Sequence, residues 1–120
     1  MSKGRVLPKQ YELWFADLDP AVGSEPGKTR PVVIIQSDLL NQAGHRTVIT
    51  CSISSLSAAG VSFIRISIDP SPVNGLLKKS YILCDQVRAI DVSRLRSKIG
   101  ALETKDINRL TASVRAILTL

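Results

Sequence analysis

At 120 residues and 44% apolar composition, the chain is long enough for one domain with its own core and too apolar to stay disordered. No apolar run exceeds four residues (Leu13–Ala16, Val32–Ile35, Tyr81–Cys84), which excludes an apolar membrane span and a signal-peptide core and leads us to expect a cytoplasmic protein with no membrane partner. Sixteen Lys plus Arg against ten Asp plus Glu leave a formal charge of +6, so a polyanion is the first partner to consider.

Residues 1–9 (MSKGRVLPK) hold three basic residues, a Gly and a Pro without periodicity, and are expected to form a basic, flexible arm ahead of a single domain spanning 10–120. YELWFA, from Tyr11 to Ala16, predicts a first strand with Trp14 turned to the core, ended by the turn at DLDP. The following AVGSEPGKT is too polar and too broken for an element of its own and predicts a long loop, where sites tend to lie. PVVIIQ, from Pro31 to Gln36, has four apolar residues in succession, the pattern of a central strand covered on both faces, with Pro31 as its first residue.

SDLLNQAGH predicts a turn. RTVITCSIS, from Arg46 to Ser54, then alternates, with Thr47, Ile49, Cys51 and Ile53 on an expected core face and hydroxyls on the other. VSFIRISI, SYILCDQ and VRAID predict further short strands, the last two as separate runs. From Ile107 the period changes. Apolar residues at 107, 110, 114, 117 and 118 form one stripe of a helix, with Glu103 or Thr104 placed to cap it. The expected fold is therefore mainly β, a barrel or sandwich of about six short strands with a packed C-terminal helix.

Cys51 and Cys84, each inside an apolar stretch, are expected to be reduced core residues. His45 is the only histidine, so a two-imidazole acid/base pair within one chain is impossible, and its setting is that of a solvated turn residue. No Cys-x-x-Cys, His-x-x-x-His or Asp-x-Asp-x-Asp spacing occurs, so neither a metal site nor a cofactor is expected. What remains is a set of hydrogen-bond donors around strand ends: Ser24, Lys28, Thr29 and Arg30; Ser52, Ser54 and Ser55; and Arg88. Guanidinium forks and hydroxyls suit a phosphodiester, although spacing alone does not separate such a site from solvated strand-end groups. Lys78, Lys79, Arg94, Arg96 and Lys98 read as a solvated basic face able to track a nucleic-acid backbone.

The stretch from Glu12 to Glu25 (ELWFADLDPAVGSE), followed by Gly27 to Gln36 (GKTRPVVIIQ), resembles the N-terminal signature of MazF/PemK-type toxins, the ribonuclease halves of type II toxin–antitoxin pairs. Cys84 to Asp91 (CDQVRAID) is similar to the second signature of that family, and the resemblance covers residues 10–118. It implies an SH3-like barrel of six to seven strands, dimeric, that cleaves single-stranded mRNA at short specific sequences without a metal. Arg30 and Ser54 fall on the family's catalytic arginine and threonine, and 2′-OH attack would leave a 2′,3′-cyclic phosphate and a 5′-OH. Ser24, Glu25, Lys28, Thr29, Ser52, Ser55, Asp85, Gln86 and Arg88 would bind RNA or support the site, with Asp85 holding Arg88 or the loop of Arg30. Base choice would rest on loops 17–29 and 55–60.

The sequence departs from the family pattern at Ser54, where threonine is usual, and at Tyr11, where glycine is common. A cognate acidic antitoxin is the expected protein partner, because a groove that attracts phosphate also attracts carboxylates. Two other readings stay open at this point: a gyrase-poisoning toxin of the same barrel type, and a non-catalytic RNA-binding barrel.

Overall fold

In the computed structural model, the residues described are 7–19, 23, 28–56 and 64–120. Six strands form one antiparallel sheet in the order β4-β5-β3-β2-β1-β6. They are β1 (Glu12–Asp17), β2 (Thr29–Ile34), β3 (Thr47–Ser54), β4 (Arg65–Ile68), β5 (Ser80–Asp91) and β6 (Leu95–Ala101). A short helix, α1 (Asp38–Gln42), joins β2 to β3, and the C-terminal helix α2 (Thr104–Leu118) packs on β4 and β5. The result is the expected barrel-like β fold with a packed terminal helix.

The sheet curls because its central strands must bury both faces. On β2, Val32 and Ile34 belong to one apolar cluster with Leu18, Val48, Ile90 and Leu95, while Val33 belongs to another with Leu13, Cys51, Ile53, Ile82 and Leu110. All three β2 residues are fully buried, as their unbroken apolar run predicted. Pro31 lies inside β2 rather than at its start. Its missing N–H is tolerated there because the β2–β3 pairing reaches only Val32. On α2, Leu110 is buried, and Ile107, Val114 and Ile117 pack against the second cluster from the same stripe. The helix begins three residues earlier than its apolar stripe, with Glu103 at the N-cap making no side-chain cap bond.

Several expectations are corrected. SDLLNQAGH is a short helix rather than a plain turn, because Ser37 caps it by accepting the N–H of Leu39 at 3.1 Å. Ile49 is 37% exposed, whereas Thr50 and Ser52, on the supposed hydroxyl face, are fully buried. β5 is one twelve-residue strand and not two runs. Its pairing with β3 jumps from Leu83↔Ser52 to Val87↔Cys51, leaving Cys84, Asp85 and Gln86 without a β3 partner. Such a bulge bends the strand, and β3 is covered on both faces, Val48 lying in one apolar cluster and Cys51 and Ile53 in the other.

The basic trio after β5 is not a free solvated face. Arg94 Nη1 donates to the carbonyls of Asp17 (2.9 Å) and Asp19 (2.7 Å), Arg96 pairs with Asp17 and Lys98 with Glu12, so these residues fasten β6 to β1 and its exit. Pro8 is buried and the Lys9 N–H donates to Glu12 Oε1 at 2.9 Å, so the last residues of the expected arm belong to the body of the fold; residues 1–6 lie outside the described residues. Both cysteines are free and buried. No helix among the described residues is long and apolar enough to cross a membrane.

Candidate active site

The ends of the first long loop are tied together before the site begins. Lys28 adopts φ +64°, its N–H donates to Asp19 Oδ1, and its carbonyl accepts from Leu18 N at 2.8 Å. This closure starts β2 at Thr29 and sets Arg30 opposite Ala16 of β1. On the other side of β2, β3 runs out at Ser54. Ser54 Oγ accepts the N–H of Leu56 at 3.1 Å, a local turn that holds the hydroxyl oxygen at the end of the strand.

Arg30 and Ser54 border the same cavity of about 500 Å³. Its polar lining also includes Lys28, Thr29, Ser55, Lys78 and Ser80, and its apolar lining includes Phe15, Pro31, Leu76, Leu77 and Ile99. A smaller hollow of about 180 Å³ touches Arg30 and Ser54 again, together with Ile53, Leu56 and Leu83. The two residues thus stand between two depressions. No Asp or Glu is among the described lining residues, so the cavity offers ammonium, guanidinium and hydroxyl donors against an apolar wall. An anion joined to a flat apolar group fits that division, and a nucleotide is such a molecule.

Of the residues singled out in the sequence, the structure gathers Lys28, Thr29, Arg30, Ser54 and Ser55 at this cavity. Ser24 and Glu25 lie outside the described residues, as do positions 57–60 of the second loop. Ser52 is fully buried, two residues before Ser54, and its Oγ finds no hydrogen-bond partner among the described residues. Asp85 and Gln86 sit in the β5 bulge, and Arg88 just beyond it pairs with Thr50. None of the three lines the cavity. Asp85, expected to hold Arg88 or the loop of Arg30, forms its ion pair with Arg65 of β4 (Nε–Oδ1 3.3 Å), because the bulge turns it toward that neighbouring strand.

Sequence reasoning missed the apolar wall. Phe15, 40% exposed within β1, and Leu76 and Leu77, between β4 and β5, are given no role by the sequence patterns. The exposure of Leu77, at 97%, is the kind of feature no pattern of alternation reports.

A model of the PemK-like, MazF-like toxins of type II toxin–antitoxin systems matches residues 9–118 of the chain. Endoribonuclease EndoA of Bacillus subtilis (strain 168) is 31% identical over 115 residues, covering 96% of this chain and 97% of that protein. Endoribonuclease MazF of Staphylococcus saprophyticus is 32% identical over 114 residues, covering 95% and 93%. Among solved structures, MazF from Deinococcus radiodurans superposes with a TM-score of 0.79 at 20% identity, over 96% of this chain and 99% of that one. An endoribonuclease in complex with its cognate antitoxin from a mycobacterial species has a TM-score of 0.75 at 15% identity, over 94% and 96%.

Proposed function

This chain belongs to the PemK-like, MazF-like toxins of type II toxin–antitoxin systems, and from that premise we propose that the cavity beside Arg30 and Ser54 is where it cleaves RNA. It is an endoribonuclease toxin of the MazF type. The observation that carries the assignment of the site is that Arg30 and Ser54, from neighbouring strands, meet at one cavity lined by cations and hydroxyls.

Single-stranded mRNA is the substrate. The ribose 2′-OH loses its proton and its oxygen attacks the adjacent phosphorus; the bond from phosphorus to the 5′ oxygen breaks, and that oxygen takes up a proton. The products are a 2′,3′-cyclic phosphate and a 5′-OH. Negative charge grows on the non-bridging oxygens along the way, and the fork of Arg30 matches two of them. The bond from Leu56 N–H holds the oxygen of Ser54 in place, and its hydroxyl donates its proton to the same oxygens. Lys28 and Lys78 extend the positive field to neighbouring phosphates. The described lining offers a divalent cation no carboxylate, which supports a reaction without a metal.

A cavity of about 500 Å³ accommodates only a nucleotide or two, so recognition of a longer sequence calls for a second copy of the chain. The cognate antitoxin would present carboxylates to the same rim, and the reduced cysteines suit the cytoplasm where mRNA is found. Incubating the purified protein with a long single-stranded RNA in EDTA, followed by end-group analysis, tests the proposal. Fragments with cyclic phosphate ends are expected, and Arg30→Ala should abolish them while leaving the fold intact. RNA that stays whole, or normal cutting by the variant, would overturn it.

A further inference from the structure

Resting on the endoribonuclease reading above, we infer that the segment 71–78, clamped by the buried side chain of Asn74, is a fixed wall of the cleavage cavity whose Leu76 and Leu77 select the base next to the scissile phosphate. Asn74 is fully buried although it sits in a connection between strands. Its Oδ1 accepts the N–H groups of Ser71 (3.0 Å) and Leu76 (2.9 Å), and its Nδ2 donates to the Asp69 carbonyl at 2.8 Å. The amide thus does the work of a strand ladder inside a loop. Ser71 reinforces it, its Oγ accepting Asn74 N–H at 3.1 Å and its carbonyl accepting Gly75 N–H at 3.0 Å.

The clamp is pressed against β6 with no slack. Ala101 N donates to the Val73 carbonyl at 3.0 Å. Gly75 holds φ +70°, and a Cβ there would collide with the Ile99 carbonyl; a Cβ on Gly100 would lie 2.5 Å from the carbonyl oxygens of Val73 and Asn74. Backbone lies on backbone, so the residues that follow are delivered to the cavity in one position. Those residues are Leu76, Leu77 and Lys78.

The wall therefore differs in kind from the rim of Arg30 and Ser54. Gly75, Leu76 and Leu77 have no side-chain group that could move a proton or bear the charge of a phosphorane, so their contribution to the cavity is shape and apolar surface. Phe15 and Ile99 complete that surface. An apolar wall beside a cationic rim places a base where its phosphate is already held, and a wall fixed before RNA arrives loses no ordering entropy on binding.

The test is cleavage of a randomised single-stranded RNA pool, with the new ends sequenced. Wild type should show a base preference beside the cut. Leu77→Ala, which removes an almost fully exposed side chain and spares the core, should weaken the preference at that one position by about tenfold. Preferences elsewhere and the cyclic phosphate ends should be kept. Asn74→Ala should blur the same position, and Asn74→Asp, which retains both accepting bonds of Oδ1, should recover part of it. Should Asn74→Ala fail to fold by circular dichroism, Leu77→Ala decides alone. A Leu77→Ala enzyme with the wild-type preference at every position, or one slowed equally on all sequences, would overturn the inference while leaving the cleavage reading intact. Wild-type protein that cuts no RNA at all would defeat the cleavage reading first and this one with it.

Discussion

Trp14 and Glu12 lie two residues apart on β1, on one side of the strand, and the indole Nε1 donates to Glu12 Oε1 at 3.0 Å. The same carboxylate accepts Lys9 N–H at 2.9 Å and, through Oε2, faces Lys98 Nζ of β6 at 3.0 Å. One acid therefore gathers the chain entering β1, the strand itself and the edge strand beside it. Burial pushes its carboxyl upward, but the bonds from Lys9, Trp14 and Lys98 and the charge of Lys98 outweigh that and hold it below the ordinary 4.5. A lowered folded value means that the unfolded chain takes up its proton first as the pH falls. The stabilisation is thus complete above pH 4.5 and is lost as the pH drops through the folded value. Glu12→Gln should reduce stability in urea at pH 7 by about 1–3 kcal/mol. Its stability should also change less than that of wild type on acidification below pH 4.5. Equal acid sensitivity of the two proteins would argue against the network.

A second expectation concerns the departure from threonine at Ser54. The hydroxyl is kept, but the methyl that restricts the rotamer on a strand is absent, and the bond from Leu56 N–H is what holds the oxygen instead. Ser54→Ala should slow cleavage by about 10²–10³, the usual loss for one oxyanion donor. Ser54→Thr should cut at least as fast as wild type. Ser54→Val, which supplies the shape of threonine without the oxygen, should be as slow as alanine. Single-turnover rates on one short RNA distinguish these outcomes, and a fast valine variant would remove the hydroxyl from the mechanism.

Much of this was legible in the chain. The apolar run that begins at Val32 announces burial on both faces of β2, and the stripe on α2 announces one packed face, because each pattern can be read from the sequence of a single element. Lys28, Thr29, Arg30 and Ser54 also stand out in the sequence as hydrogen-bond donors at strand ends, and the structure brings them to one cavity. What was not readable depends on partners distant in sequence. β6 carries Arg96, Ser97 and Lys98 in succession, which looks like solvent-exposed coil until β1 supplies Asp17 and Glu12 to pair with the two charges. Along β3 both faces are covered, Val48 by one apolar cluster and Cys51 and Ile53 by the other, so Thr50 is buried, while Ile49, near the start of the strand, emerges from the expected core face. Asp85 is sent to Arg65 by the β5 bulge. The apolar wall escaped notice because Asn74, an ordinary turn residue in sequence, becomes a buried clamp only when β6 lies against it.

The two cysteines should be chemically silent in the folded state. Burial pushes the Cys51 thiol up to about 12, with the neighbouring Cys84 and Asp85 adding to the shift, and burial likewise raises Cys84. At pH 8 almost no thiolate is present at Cys51, and neither side chain is open to a reagent. A disulfide-exchange reagent should titrate no thiols in the native protein and both after unfolding in guanidinium. Prompt native reactivity of either would contradict the packing around α2.

Tyr11 gives the sharpest test of the backbone. It occupies φ +70°, a region that ordinary residues avoid, while its N–H donates to the Ile34 carbonyl at 2.6 Å and its carbonyl accepts Leu102 N–H at 2.9 Å. Those bonds join the start of β1 to the end of β2 and to the residue after β6, so the conformation cannot relax without undoing the sheet. Glycine would adopt this positive φ without a steric penalty. Here the strain is offset by the ring, which packs on the cluster under α2. At most positions alanine is more stable than glycine by about 0.5–1 kcal/mol. At position 11 the order should reverse, with Tyr11→Gly more stable than Tyr11→Ala by about 1 kcal/mol, because alanine keeps the steric clash and loses the ring. Both should be less stable than wild type if the packing of the ring outweighs the strain. Urea unfolding of the three proteins measures both differences, and an alanine variant more stable than the glycine variant would show that the chain does not hold this turn.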